Sequence, residues 1–297
     1  MEITFLGTSS AVHSQNRNHP AIVLKAFGEV MLFDCGESTQ KQMIFAKISP
    51  MKISKIFITH YHGDHILGLP GLLQSMNFRG REKPLTIYGP KGLKKLMENI
   101  RELGVSDFDF QIESVEIENG TIAESDDYII KAQKMKHNLT NYAYSIEEKK
   151  KPQFLREKAI ELGVPEGPLF GKLHNGEEVE VDGNIIKPEQ VLGEPKKSRK
   201  IVYSGDTLPC NDMIEFAKNS DLLIHESTYT LEDEDKAKEN FHTTSADASR
   251  IASAANVNKL ILTHFSTRYN NTSDLISQAR LEFENCDLAY DLMVVKL

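Results

Sequence analysis

Short apolar runs punctuate this chain, and several of them stop at a polar residue able to bind a metal or move a proton. In the first third, residues 3–6 read as a strand, 21–26 and 30–33 as a hairpin around Gly28, and 37–48 as a helix ending before Pro50. A helix is expected over 65–78, a strand over 85–88, and a helix over 92–103, where Leu93, Leu96, Ile100 and Leu103 keep helical spacing. Strands are expected at 108–117 and 128–135. In the second half, residues 201–203 run into Ser204-Gly205-Asp206-Thr207, 222–224 into His225-Glu226-Ser227-Thr228, and 260–262 into Thr263-His264-Phe265-Ser266. Strands interleaved with helices in both halves predict an α/β architecture rather than an all-β barrel. Polar residues at so many strand ends predict a site where loops converge on one sheet edge.

The pattern is densest at residues 55–71, where the apolar run Ile56-Phe57-Ile58 precedes His60-Tyr61-His62-Gly63-Asp64-His65. In an extended chain successive side chains alternate, so His60 and His62 share a side and can grip one ion. Gly63 permits a sharp reversal, and Asp64 is expected to cap a helix that carries Ile66, Leu69, Leu72 and Leu73 inward. Asp64 and His65 then face a second ion position. Imidazole and carboxylate together suit zinc better than manganese or iron. His137, after the 128–135 strand, is read as either a third ligand or a structural histidine.

Composition narrows the setting. The chain has 297 residues, 40% of them hydrophobic, enough for one large domain or two smaller ones with ample core. No apolar run approaches a membrane span, and the start, with acidic Glu2, reads as a strand and turn, so a cytoplasmic protein with no membrane partner is expected. Cys35, Cys210 and Cys286 are odd in number and far apart, which indicates neither a disulfide framework nor a thiolate zinc site. A net charge of −8 points away from a general nucleic-acid binder, so a polyanion would have to meet a local basic patch.

Between 144 and 200 the alternation breaks into a stretch rich in glycine and proline. A segment this long inside a compact domain is either functional or disordered. From Glu147 to Lys200 acidic and basic residues are equal in number, but the basic ones gather at the two roots, Lys149–Lys151 and Lys196–Lys200, which are expected to lie side by side.

The His60-x-His62-x-Asp64-His65 cluster resembles the signature of the metallo-β-lactamase superfamily, which by itself names a fold and a metal site but no substrate. The full-length pattern resembles the short form of the ribonuclease Z family: the start FLGTSS with Arg17-Asn18, the stretch ITHYHGDHILGLPGLL, the glycine-proline motif from Gly167-Pro168 to Gly176, then SGDT, HEST, His242 and THFSTRY in order. The resemblance implies an αββα sandwich formed by residues 1–297 as a single domain, with residues 149–199 inserted as a protruding flexible arm that binds tRNA. It implies a zinc-dependent endoribonuclease that removes the 3′ trailer of precursor tRNA after the discriminator nucleotide, leaving a 3′-hydroxyl and a 5′-phosphate. His60, His62 and His137 are then assigned to one zinc, Asp64, His65 and His264 to the other, and Asp206 to the bridge, giving two zinc ions per subunit. Asp64 also takes the proton of the attacking water. His242 protonates the leaving oxygen with Glu226 orienting it, and Arg268 clamps a phosphate. A homodimer and no nucleotide cofactor are expected.

His13 and Gln15 depart from the family's usual proline and lysine in the loop before Arg17-Asn18, which leaves the treatment of a CCA end open. The competing reading is a small-molecule phosphodiesterase or sulfatase on the same scaffold, which would have no use for the arm. A silent RNA-binding relative is disfavoured because no ligand is missing. An mRNA-processing nuclease is disfavoured for want of room for a capping domain.

Overall fold

The computed structural model describes residues 1–103, 107–150, 152–195 and 197–297, and the chain divides into two compact units. The larger comprises 1–124, 129–146 and 200–297. It is built on two seven-stranded sheets. The first orders Val294–Lys296, Glu2–Gly7, Ala21–Ala26, Glu29–Phe33, Ile53–Phe57, Leu85–Gly89 and Ile112–Glu116; its early strands pair antiparallel, its last four run parallel. The second orders Cys286–Leu288, Leu260–Thr263, Leu222–Glu226, Lys200–Tyr203, Asn141–Glu148, Tyr128–Met135 and Gly120–Glu124, with its first four parallel.

Period-two alternation explains why both faces of each sheet are covered. Leu32, Ile56, Leu85 and Ile87 point to an outer core shared with Met43, Leu72, Leu73, Met76, Leu93 and Met97 from helices Thr39–Phe45, Leu69–Phe78 and Leu93–Glu102. Their neighbours Phe33 and Phe57 point the other way and meet Tyr144 of the second sheet, with Phe57 and Tyr144 ring centres 5.4 Å apart. Val202, Leu223, Leu260 and Leu262 form the other outer core with Met213, Ala248, Ile251 and Leu275. Helix, sheet, sheet, helix is the αββα sandwich that the family resemblance implies, and it bears out the α/β architecture that the pattern predicts.

Three local expectations are corrected. Asp64 does not cap its helix: the cap position is His62, and Asp64 sits inside the first turn of Gly63–Ile66. The single helix expected over 65–78 is broken at Leu67 and Gly68, and a second helix runs Leu69–Phe78. The strand expected over 108–117 is confined to Ile112–Glu116.

The smaller unit comprises 125–128 and 147–199. It holds helices Arg156–Glu161, Pro168–His174 and Pro188–Val191, and the hairpin Val179–Val181 with Asn184–Ile186. Ala159, Val164, Leu173, Val179, Ile186 and Val191 form a core drawn from this segment itself. At its root, Arg199 forms an ion pair with Glu148 at 2.6 Å and pulls that carboxyl down to about 2. Lys150 Nζ donates to the Lys197 carbonyl, so the two basic roots do meet, though Glu148 offsets part of their charge. Lys151 and Lys196 of those roots lie outside the described residues.

Candidate metal centre

His60 follows the end of strand Ile53–Phe57 by three residues, and the chain then turns into helix Gly63–Ile66. The turn approaches the segment Asp34-Cys35-Gly36 so closely that it admits only glycine at two points. A Cβ on Gly36 would lie 2.2 Å from the Asp64 carbonyl oxygen, and one on Gly68 would lie 2.0 Å from the Gly36 carbonyl oxygen. The contact is fixed by hydrogen bonds from Cys35 N to His65 O and from Gly68 N to Cys35 O. The ligand-bearing turn is thereby seated on a loop of the preceding strand.

Seven side chains converge. His60 Nε2 lies 3.0 Å from His62 Nδ1, which lies 3.3 Å from His137 Nε2, and Asp206 Oδ2 is 3.6 Å from His60 Nε2. On the other side His65 Nε2 and His264 Nε2 are 3.4 Å apart, at 3.5 and 3.4 Å from Asp64 Oδ2. Asp206 Oδ2 is 3.4 Å from each of these two nitrogens, so this one carboxylate touches both groups. His60, His65, Asp206 and His264 are all buried.

The hydrogen bonds behind the histidines set which nitrogen faces inward. His65 Nδ1 donates to Asp34 Oδ2 at 2.8 Å, and His137 Nδ1 donates to the Phe241 carbonyl at 2.9 Å. Thr59 gives its hydroxyl proton to Asp34 and so accepts from His60 Nδ1; Thr228 gives its own to Glu226 and accepts from His264 Nδ1. Four rings therefore turn Nε2 to the centre, the nitrogen each would offer to a cation. Nitrogens facing one another at these separations repel unless a proton or a metal cation lies among them, and among the described residues the buried Asp206 Oδ1 has no hydrogen-bond partner. The donor set of imidazoles and carboxylates fits two borderline cations.

Electrostatics agree. Burial and the neighbouring His65 push His60 well below the ordinary histidine value. Burial also opposes charge on His65, but Asp206, Asp64 and Asp34 outweigh it and hold its pKa well above the usual range. A field that keeps a proton on a buried ring is equally a field that attracts a cation. Asp64 is held down by His65 and His264 against its burial, and the backbone N–H of Ala11 donates to its Oδ2 at 2.8 Å.

Beside this centre, His242 Nδ1 donates to Glu226 Oε1 at 2.9 Å and lies 4.0 Å from Asp206 Oδ2. Glu226 is fixed by the N–H groups of Thr207 and Thr228 and by the Thr228 hydroxyl. Burial opposes charging His242, but Glu226 prevails and raises it to about 9. Thr244 caps helix Ser245–Ala254 immediately after it, which pins the chain on which the ring is carried. Arg268 stands over the Tyr229 ring at 5.1 Å, with its Nε donating to Ser266 Oγ and an amino group 3.5 Å from Asp233.

Sequence reasoning assigned no role to Asp34, Thr59, Tyr203 or Thr228. Asp34 accepts from Thr59 N, Thr59 Oγ1, Tyr203 Oη and His65 Nδ1 while adopting φ of 56°. It ends the apolar strand Glu29–Phe33, so the strand-end rule applied to His225 and His264 would have found it. Asp34→Asn is expected to weaken metal binding by about 10–100-fold, because His65 loses the acceptor that orients it; competition against a chromogenic chelator measures this.

Residues 1–152 match the family model described as anti-Pycsar protein Apyc1, and residues 188–265 match the β-lactamase superfamily domain. The chain is 55% identical over 297 residues to ribonuclease Z of Methanothermobacter thermautotrophicus, covering 100% of this chain and 97% of that protein. It is 43% identical over 299 residues to ribonuclease Z of Methanosarcina mazei, covering 100% and 98%. Among solved structures, the short form of human tRNase Z superposes with a TM-score of 0.72 at 28% identity, covering 100% of this chain and 99% of that one.

Proposed function

Because the chain belongs to the ribonuclease Z family of hydrolytic endoribonucleases, we propose that it cuts precursor tRNA just after the discriminator nucleotide, leaving a 3′-hydroxyl on the tRNA and a 5′-phosphate on the trailer. The observation that carries the reaction class is the cluster of seven ligands, four of them buried, with the His242–Glu226 pair alongside it. His60, His62 and His137 would hold one zinc ion, Asp64, His65 and His264 the second, and Asp206 both. Two such ions, when bound, activate the attacking water and neutralise charge that grows on the phosphodiester.

The remaining steps fall to the chain's own groups. Asp64 Oδ2, steadied by Ala11 N, accepts a proton from the attacking water. His242, with Nδ1–H bound to Glu226, carries a second proton at Nε2 and gives it to the departing 3′-oxygen. Arg268, already aligned by Ser266 and Tyr229, offers its outer guanidinium edge to a substrate phosphate. The smaller unit, with its basic root, serves as the tRNA-binding arm, and the active form is a cytoplasmic homodimer.

His242→Ala is expected to lower kcat by about 10²–10⁴-fold while metal content stays unchanged. Because a proton donor works only while protonated, activity falls as pH rises through the pKa of His242. Glu226→Gln, by removing the charge that raises that pKa, should shift this alkaline limb to lower pH, as read from a kcat profile. The overall reading is tested by incubating a 3′-extended precursor tRNA with zinc-loaded protein and with a chelated sample, then mapping both new ends. One metal-dependent cut after the discriminator is expected. No cut, with metal-dependent turnover of a small diester, would move the assignment to a small-molecule phosphodiesterase.

A further inference from the structure

A second group of ligand-type side chains lies outside the seven: His13 on the loop after strand Glu2–Gly7, His19 just before strand Ala21–Ala26, and Glu37 before helix Thr39–Phe45. One ligand atom from each lies within 4.8 Å of the others. His13 Nε2 is 3.4 Å from Glu37 Oε2, and the two imidazoles stack with ring centres 3.7 Å apart.

His19 makes this more than a surface ion pair. It is only 6% exposed, yet neither of its ring nitrogens has a hydrogen-bond partner among the described residues. Buried polar atoms are rarely left so, and one of these two nitrogens is within reach of a ligand shared with His13 and Glu37. The His19 Cβ packs against Gly36, where an added side chain would meet it at 2.4 Å. His13 and Glu37 keep 32% and 62% of their side chains exposed. A pair of stacked rings directs its lone pairs side by side, so capture of one ion requires a ring to swing, and exposed His13 is the one with room to do so.

We propose that His13, His19 and Glu37 form a third metal site, sharing no residue with the seven-ligand cluster, that takes a borderline transition cation such as zinc and anchors the loop of residues 11–18. Two imidazoles and one carboxylate are a zinc donor set, and the exposed side leaves positions for water. The loop is worth anchoring, since its Ala11 N–H holds the Asp64 carboxylate at 2.8 Å. An ion here joins the loop to the turn that begins helix Thr39–Phe45 and steadies one ligand of the neighbouring centre.

Equilibrium dialysis against zinc, with bound metal counted per chain, tests the proposal in the full-length protein, and cobalt substitution gives a visible spectrum of the same sites. The wild-type chain is expected to take up three equivalents, the third weakest. His13→Ala, at a partly exposed position, and Glu37→Gln, at an exposed one, should retain the two tighter equivalents and weaken the third by more than the ~10–100-fold typical of losing an outer-shell partner. His60→Ala should weaken one of the tighter pair and keep the loop site. Amide exchange of residues 12–17 should slow on addition of the third equivalent in the wild type and not in the His13 or Glu37 variants. A wild-type chain that saturates at two equivalents overturns the proposal, and so does a third equivalent that survives both substitutions.

Discussion

Asp206→Ala is expected to abolish cleavage, with kcat/KM falling by more than about 10³-fold, equivalent to ~4 kcal/mol of transition-state stabilisation. The size follows from position. Asp206 Oδ2 stands 3.4 to 3.6 Å from His60, His65 and His264 and is the one carboxylate shared by the two ligand groups. Its loss also strips the negative charge that sustains His65 above its ordinary pKa, so two imidazoles and Asp64 would rearrange around a gap. Bound metal should fall together with activity, while affinity for precursor tRNA, measured by filter binding, persists. A variant that keeps both metal and cleavage would remove the centre from these residues.

Deleting residues 152–195 should have the second-largest effect, and a different one. That segment supplies its own six-residue core, so its removal takes away a self-contained unit rather than part of either sheet core. Precursor tRNA should bind about 10²-fold more weakly or worse, a change of ~2.8 kcal/mol, while hydrolysis of a small chromogenic phosphodiester stays nearly intact. The residual binding should respond less steeply to salt, because phosphate contacts that release counterions have gone. Equal damage to both substrates would make the segment a structural support and end its role as a binding arm.

The site was legible in the sequence because strand-end ligands are written locally. Ile56 to His65 displays both the buried run and the chemistry, and Leu260 to His264 repeats it. What stayed hidden depends on contacts distant in sequence. Asp34 was visible as a polar strand end, but its partners were not: Thr59, His65 and Tyr203 reach it only on folding, and no spacing rule reaches from 34 to 203. The break in the helix at Leu67 and Gly68 is likewise tertiary: Gly68 donates to Cys35 O at 2.9 Å instead of continuing one helix through the turn. In the smaller unit, glycines and prolines concealed short elements whose core needs six residues drawn from three helices, a hairpin and the loop at Val164. Strands Gly120–Glu124 and Cys286–Leu288 were not read at all; the first is largely exposed and the second only three residues long, so neither carries an apolar run.

Gly36 and Gly68 bear on how this chain would read in genetics. Neither touches a reacting atom, yet any side chain at either position drives its Cβ into a backbone carbonyl oxygen at 2.0 to 2.2 Å and lifts the ligand-bearing turn off its seat. In a saturation screen scored for activity, both should be as intolerant as His60 or Asp206. A screen scored for soluble yield would part the two pairs: substitutions of the glycines fail at folding, whereas many substitutions of the ligands leave abundant, inactive protein. The apparent catalytic map of this enzyme, drawn from phenotype alone, would therefore be wider than its chemistry by the residues that let two loops touch.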